Sequence, residues 1–94
     1  MIKFEWDETK NAGNKRKHHI SFEMAAHVFE DEYYIEMYDF ENSDTEDRYI
    51  VIGKVEEVLF VVYTERGDTI RLISARLADK FEEELYYAQN IYFE

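Results

Sequence analysis

Apolar residues in the second half of this chain recur with a period of two, which is the pattern of β-strands. Four stretches show it: residues 33–39, 48–53, 58–64 and 69–75. The links between the last three stretches are short, so we predict that they form an antiparallel meander. Residues 58–62 are apolar on both faces, which predicts a central strand that is covered on both sides.

The first third of the chain is predicted to contain a short strand and two helices. Residues 2–4 favour a strand, and Asp7 is suited to cap a polar helix over residues 8–17. Ser21 is suited to cap a second helix, whose apolar residues share one face. That face consists of Phe22, Ala25, Ala26 and Phe29.

A final helix is predicted from about residue 77. An acidic, mobile loop at residues 40–47 is expected to join the first two strands of the period-two region. Its apolar stripe comprises Leu77, Phe81, Leu85 and Ala88. We therefore expect one α+β domain over residues 1–94, with two N-terminal helices, an antiparallel sheet meander and a C-terminal helix. The helices should lie mainly against one sheet face, which leaves the other face free for function.

Composition excludes several kinds of protein. No cysteine occurs among the 94 residues, so disulfides, thiolate metal sites and a thiol nucleophile are ruled out. The pair His18-His19 lacks acidic neighbours at the spacing of a zinc motif, so we expect no metal and no cofactor. The longest apolar run is too short to cross a bilayer and no signal-peptide core is visible, which predicts a cytoplasmic protein.

The charges are segregated along the chain. A net charge of −11 argues against nucleic-acid binding by the whole surface. The cations gather in two tracts, residues 10–19 and 66–76, whereas ten acidic residues and no Lys or Arg lie between Lys17 and Arg48. If the chain contacts nucleic acid, these two tracts are therefore the surfaces that would do so.

The first tract places Lys10, Asn14 and Lys17 on one face of the first predicted helix. Two interpretations stay open at this point. The face could bind phosphate, or the helix could be solvated, with its cations favoured near the C-terminus by the helix dipole.

The second tract contains three arginines and a phenol in or beside one hairpin: Arg66, Arg71, Arg76 and Tyr63. Guanidinium groups suit phosphates because they donate paired hydrogen bonds, but strand arginines also form ordinary surface ion pairs. Because Ile70 and Leu72 share one strand face, Arg71 should point to the other, and Arg76 should leave at the strand end.

Two sets of motifs follow one another over residues 4–87. The first is Phe4-Glu5-Trp6-Asp7, Lys10, Asn14, Lys17-His18 and Ser21-Phe22-Glu23. The second is Val61-Val62-Tyr63-Thr64-Glu65-Arg66 with Ile70-Arg71-Leu72-Ile73-Ser74-Ala75-Arg76. Together they resemble the BrnT-type ribonuclease toxins. Members of that family usually have Gly after the Lys-His pair, where this chain has His19, which predicts a left-handed backbone there.

The resemblance implies a RelE-like fold and a bacterial endoribonuclease of the mRNA interferase type, the toxin of a type II toxin–antitoxin pair. RNA would be the substrate and a BrnA-type antitoxin the partner. Metal-independent cleavage through 2′-hydroxyl attack would use His18 as acid or base, with Tyr63 as the alternative. The groups expected to stabilise the phosphate are Arg66, Arg71, Arg76 and Lys10. Those expected to bind RNA are Lys15, Arg16, Lys17 and Trp6, although a lone Trp is also a common core anchor.

The rival interpretation is a catalytically silent binding module with a toxin fold. Its acidic and aromatic residues 33–47 would contact a basic protein partner, as the absence of Lys and Arg between residues 17 and 48 favours. A neighbouring gene for a DNA-binding antitoxin would favour the toxin instead.

Overall fold

The computed structural model describes residues 2–89, so the aromatic tail at residues 91–93 lies outside the described residues. The strands are β1 (Lys3–Glu5), β2 (Ile35–Tyr38), β3 (Arg48–Val55), β4 (Glu57–Arg66) and β5 (Thr69–Leu77). The α-helices are α1 (Glu8–His18), α2 (Phe22–Ala25) and α3 (Lys80–Ala88), and short 3₁₀ helices occupy Ala26–Glu30 and Phe40–Asn42. Within residues 2–89 no helix is both long enough and apolar enough to span a membrane.

The sheet is mixed, with the strand order β1-β5-β4-β3-β2. The predicted meander of the last three strands is confirmed, because β3, β4 and β5 are antiparallel neighbours with β4 at the centre. The expectation of a purely antiparallel sheet was wrong, since β1 pairs with β5 in parallel. A three-residue strand carries too little pattern to reveal which strand it joins or in which direction. The RelE-like assignment stays a prediction.

The main core lies between one sheet face and the segment that contains α2 and the first 3₁₀ helix. Phe22, Val28 and Val61 have no exposed surface in this cluster. Gly53 of β3 allows the closest approach, because a Cβ at this position would lie 3.0 Å from both Val28 Cβ and Val28 O. The lack of a side chain at Gly53 therefore allows the helical segment to pack directly against β3.

The C-terminal helix packs on the opposite sheet face, which corrects the expectation that this face is free. Its inward residue is Tyr86, which is 3% exposed and packs with Ile52 and Val58. The predicted stripe points elsewhere, since Phe81 is 67% exposed and Leu85 is 40% exposed. The apolar periodicity did not predict the inward face of this helix, because Tyr86 anchors it by packing its ring and by donating its hydroxyl to a carboxylate.

The predicted helix ends are confirmed. Asp7 accepts a hydrogen bond from Lys10 N, and Ser21 accepts one from Met24 N. His19 has a φ of 61°, the left-handed backbone expected after the Lys-His pair. The second helix is shorter than expected, because its α-helical part gives way to 3₁₀ geometry after Ala25.

Candidate functional site

A β-bulge places Arg71 and Arg76 on the same side of the sheet. Residues five apart on a regular strand point to opposite faces. In β5, however, Ile73 is an extra residue, because the pairing register with β4 shifts at this point. Arg71 consequently pairs with Thr64, and Arg76 pairs with Phe60, on the face turned away from the main core. Bulges often redirect a side chain at a functional site in this way.

Arg66 extends the same surface. It lies at the end of β4 and alternates with Thr64 and Phe60, so it points to the same side of the sheet. We call this surface the arginine face, defined by Arg66, Arg71 and Arg76. The fold thus brings together all three arginines that the sequence singled out.

Each of the three guanidinium groups has a carboxylate partner. Arg71 Nη1 lies 2.8 Å from Glu5 Oε2, and Arg66 Nη2 lies 3.5 Å from Glu46 Oε1. Arg76 donates to both oxygens of Glu82, at 2.8 and 2.9 Å. The ion-pair interpretation of the second tract is therefore confirmed, whereas phosphate binding by this shared surface stays a prediction.

Arg76 is held more firmly than its two neighbours. Its guanidinium lies 3.9 Å from the ring centroid of Phe60, in addition to the paired bonds with Glu82. The hydrogen bonds that Arg76 donates to Glu82 raise the pKa of Arg76 and lower the pKa of Glu82. Arg66, with a side chain that is 54% exposed and a longer ion pair, is the more available phosphate ligand.

Helix α1 is fastened to the edge of β5 through Asn14. The Asn14 side chain donates to Ala75 O at 2.8 Å and accepts from Ala75 N at 3.1 Å. It also donates to Ile20 O at 2.8 Å, and Asn14 is only 8% exposed. The first helix and the last hairpin are therefore direct neighbours.

The two sides of α1 have different surroundings. At about 100° per residue, Lys10 and Lys17 lie roughly 40° to 60° to one side of Asn14, and Asn11 and His18 lie the same amount to the other. Asn11 accepts from Phe22 N at 2.8 Å, so its side faces α2 and the main core. Lys10 and Lys17 consequently lie on the side of α1 that is turned away from α2, whereas His18 lies on the α2 side.

The remaining two cations of the first tract point away from that side. Lys15 contributes to lowering the pKa of Glu23, after the larger effect of the Asn11 hydrogen bond, so it lies toward α2. Arg16 falls on the outer side of α1 and is exposed. The roles of both in RNA binding stay predictions.

Tyr63 and Trp6 pack in the main core rather than at the arginine face. Tyr63 is 4% exposed, packs against Phe29, and donates its hydroxyl to Glu36. Burial and that hydrogen bond raise the pKa of Tyr63 far above its ordinary range. Trp6 packs edge-on against Phe22 with ring centroids 6.2 Å apart, which fits the core-anchor interpretation.

Sequence reasoning gave no role to two residues that help to build the arginine face. Arg48 pairs with Thr64 across β3 and β4, and its Nε is buried without a hydrogen-bond partner. Glu82 of α3 lies outside the predicted apolar stripe of its helix, and its sequence position gives no sign of an arginine partner. The signals for Arg48 were its place at a strand start and in the motifs that resemble the family, and neither signal reveals a face.

Comparisons with known proteins identify the family and the fold of this chain. The family model described as ribonuclease toxin, BrnT, of type II toxin-antitoxin system matches residues 6–82. The 1.1 Å crystal structure of the Brucella abortus ribonuclease toxin BrnT is similar, with a TM-score of 0.67 and 21% identity over 85% of this chain and 100% of that chain. No curated protein matches the chain.

The family match and the shared fold define the class of this protein as a ribonuclease toxin of a type II toxin–antitoxin system. The chain belongs to the BrnT family. A toxin of this class has RNA as its substrate and an antitoxin as its partner.

Proposed function

We propose that the arginine face, together with Lys10 and Lys17 of α1, is the site at which this toxin cleaves RNA. The observation that carries the proposal is the bulge at Ile73, which turns Arg71 and Arg76 to one side of the sheet. A regular strand would have divided them. Guanidinium groups fixed on rigid strands are suited to a phosphate whose negative charge grows during the reaction.

The proposed reaction is an internal transfer at phosphorus that needs no metal. The ribose 2′-oxygen loses its proton and attacks the adjacent phosphorus, the bond to the 5′-oxygen breaks, and the leaving oxygen takes up a proton. The products are a 2′,3′-cyclic phosphate and a 5′-hydroxyl. Arg66 and Arg71 would neutralise the two negative charges of the pentacovalent phosphate, and such groups supply roughly 10²- to 10³-fold each in other enzymes.

Proton transfer is assigned to His18. Histidine is the most frequent general acid or base at neutral pH, and such a group contributes about 10²- to 10⁴-fold. Because His18 lies on the α2 side of α1 and Lys17 on the other, the substrate would have to contact both sides of the C-terminal end of this helix. Tyr63 is left out of the proposed site, because the sheet separates it from the arginine face and its hydroxyl is bound to Glu36.

The proposal includes a BrnA-type antitoxin that neutralises the toxin in the cytoplasm, and an endoribonuclease activity of the mRNA interferase type. Support comes from the family model over residues 6–82 and from the charge distribution. Because the chain carries 22 acidic and 11 basic residues, its arginine face must bind RNA against repulsion from the rest of the surface.

Inducible expression with mapping of RNA 5′ ends tests the proposal. We expect the wild type to arrest growth and to generate new RNA ends. Arg66→Gln and Arg71→Gln should each relieve the arrest, whereas the control Lys54→Gln, a cation next to Tyr87 and away from the site, should not. Full toxicity and unchanged ends for both arginine variants would contradict the assignment.

One observation favours the rival function, a silent binding module. All three arginines are already paired with carboxylates, so a phosphate must compete with Glu5, Glu46 and Glu82. The module would leave growth and RNA ends unaffected when expressed alone. The same experiment therefore distinguishes the two functions.

A further inference from the structure

The outer face of α3 is apolar although no described part of the chain covers it. Phe81, Leu85 and Ala88 recur at the spacing of a helix that packs on another element. Phe81 is 67% exposed and Leu85 is 40% exposed, whereas the opposite side of the helix is anchored by Tyr86. The helix is thus apolar on two sides, and its sheet contact uses only one of them.

Carboxylates surround this apolar face. Glu84 lies on one flank, Glu82 on the other, and the cap Asp79 stands at its N-terminal end, whereas Lys80 is the one cation among the described residues of α3. With 22 acidic and 11 basic residues, the whole chain adds to the negative field. A partner that fits must bring apolar side chains with Lys or Arg beside them.

We propose that this surface, defined by Phe81, Leu85 and Glu84, binds an amphipathic basic segment of the antitoxin. The proposal rests on the proposed function only in requiring a protein antitoxin. Charge complementarity argues against a second copy of this chain, since two copies would face each other with like charges. It equally argues against RNA, which repels carboxylates.

The position of this surface links binding to the site. Glu82 belongs to the same helix and holds Arg76 by two hydrogen bonds, at 2.8 and 2.9 Å. A segment seated on Phe81 and Leu85 would therefore lie within one helical turn of the ion pair that borders the arginine face. An antitoxin bound to this surface of α3 can therefore block access of RNA to the arginine face without contacting the arginines.

The test uses the purified wild-type chain and the purified product of the small reading frame beside its gene. Binding is measured by titration calorimetry for the wild type, for Phe81→Gln with Leu85→Gln, and for the control Phe40→Gln. Phe40 is 84% exposed in the acidic loop, so it probes the rival surface with the same chemistry. We expect the double variant to lose about 30-fold or more in affinity and the control to stay within about threefold.

Further measurements make each outcome decisive. Glu84→Lys should weaken binding and should lessen its dependence on salt, while circular dichroism should show an unchanged fold. Equal binding by the double variant, a loss confined to Phe40→Gln, or no binding by the wild type would overturn the proposal. Dimerisation of the wild type that is lost in the double variant would also overturn the proposal. RNA cleavage is assayed separately, so its absence would sink the proposed function and leave the binding result intact.

Discussion

The side-chain amide of Asn14 continues the hydrogen-bonding edge of β5 by pairing with both the N–H and the carbonyl of Ala75, at 3.1 and 2.8 Å. β1 pairs with β5 only from Thr69 to Arg71, so beyond that point the strand would have an open edge. One amide side chain therefore replaces a strand and sets the position of α1. Because of this contact, the helix that carries the cations of the first tract lies directly beside β5.

Asn14→Ala should destabilise the protein by about 3 kcal/mol, because it leaves buried groups of Ala75 and Ile20 without partners. The measurement is the free energy of unfolding in urea. Thr45→Ala serves as the control, since Thr45 is exposed and its loss should cost at most about 0.5 kcal/mol. Equal costs at both positions would show that the edge contact contributes nothing.

Gly53→Ala should destabilise the protein by roughly 1 to 3 kcal/mol, because the added Cβ would meet Val28 at 3.0 Å in a packed core. Gly13→Ala is the matched control. At Gly13 the nearest neighbour is the flexible end of Arg16 at 3.8 Å, so alanine should stabilise α1 by about 0.5 to 1 kcal/mol. Thermal unfolding of both variants checks the opposite signs, and a shift of the same sign would contradict this packing.

Glu82→Gln should remove a pH-dependent part of the stability. The folded pKa of Glu82 is lowered by Arg76, so its contribution is present above the unfolded value of about 4.3 and is lost as pH falls through the folded pKa. The difference in unfolding free energy between wild type and variant should be about 1 kcal/mol at pH 7, since Arg76 is partly solvated, and should shrink on acidification to pH 3. A difference that grew on acidification would contradict this sign.

Lys10→Gln should weaken RNA binding more than Lys15→Gln does. Lys10 lies on the side of α1 turned away from α2, and Lys15 lies toward Glu23. Fluorescence anisotropy with a short single-stranded RNA should show a loss of about fivefold for Lys10→Gln and less than about twofold for Lys15→Gln. The dependence of binding on salt should become shallower only for Lys10→Gln. Equal effects would place the RNA elsewhere.

Local pattern predicted much of this fold because it depends on near neighbours in the chain. The caps Asp7 and Ser21 and the β3-β4-β5 meander followed from spacing or residue type, and the left-handed backbone at His19 followed from the family resemblance. These features need only a few adjacent residues to be satisfied. These features can therefore be predicted without knowledge of the tertiary structure.

The site was harder to predict because it depends on register. The bulge at Ile73 has no residue signature, yet it decides the face on which Arg76 lies. The carboxylates Glu5, Glu46 and Glu82 reach their arginines from three separate elements, which spacing along the chain cannot reveal. The role of Tyr86 as the anchor of α3 was not predicted, because its polar hydroxyl kept it out of the apolar stripe.

The most direct test of the central claim is cleavage of a short RNA by the purified protein in excess EDTA, with and without one 2′-deoxy substitution at the mapped cut site. The account predicts a 2′,3′-cyclic phosphate and a 5′-hydroxyl, no cleavage of the deoxy substrate, and a loss of about 100-fold or more when Arg66→Gln and Arg71→Gln are combined. Cleavage of the deoxy substrate, or an undiminished rate in the double variant, would contradict it.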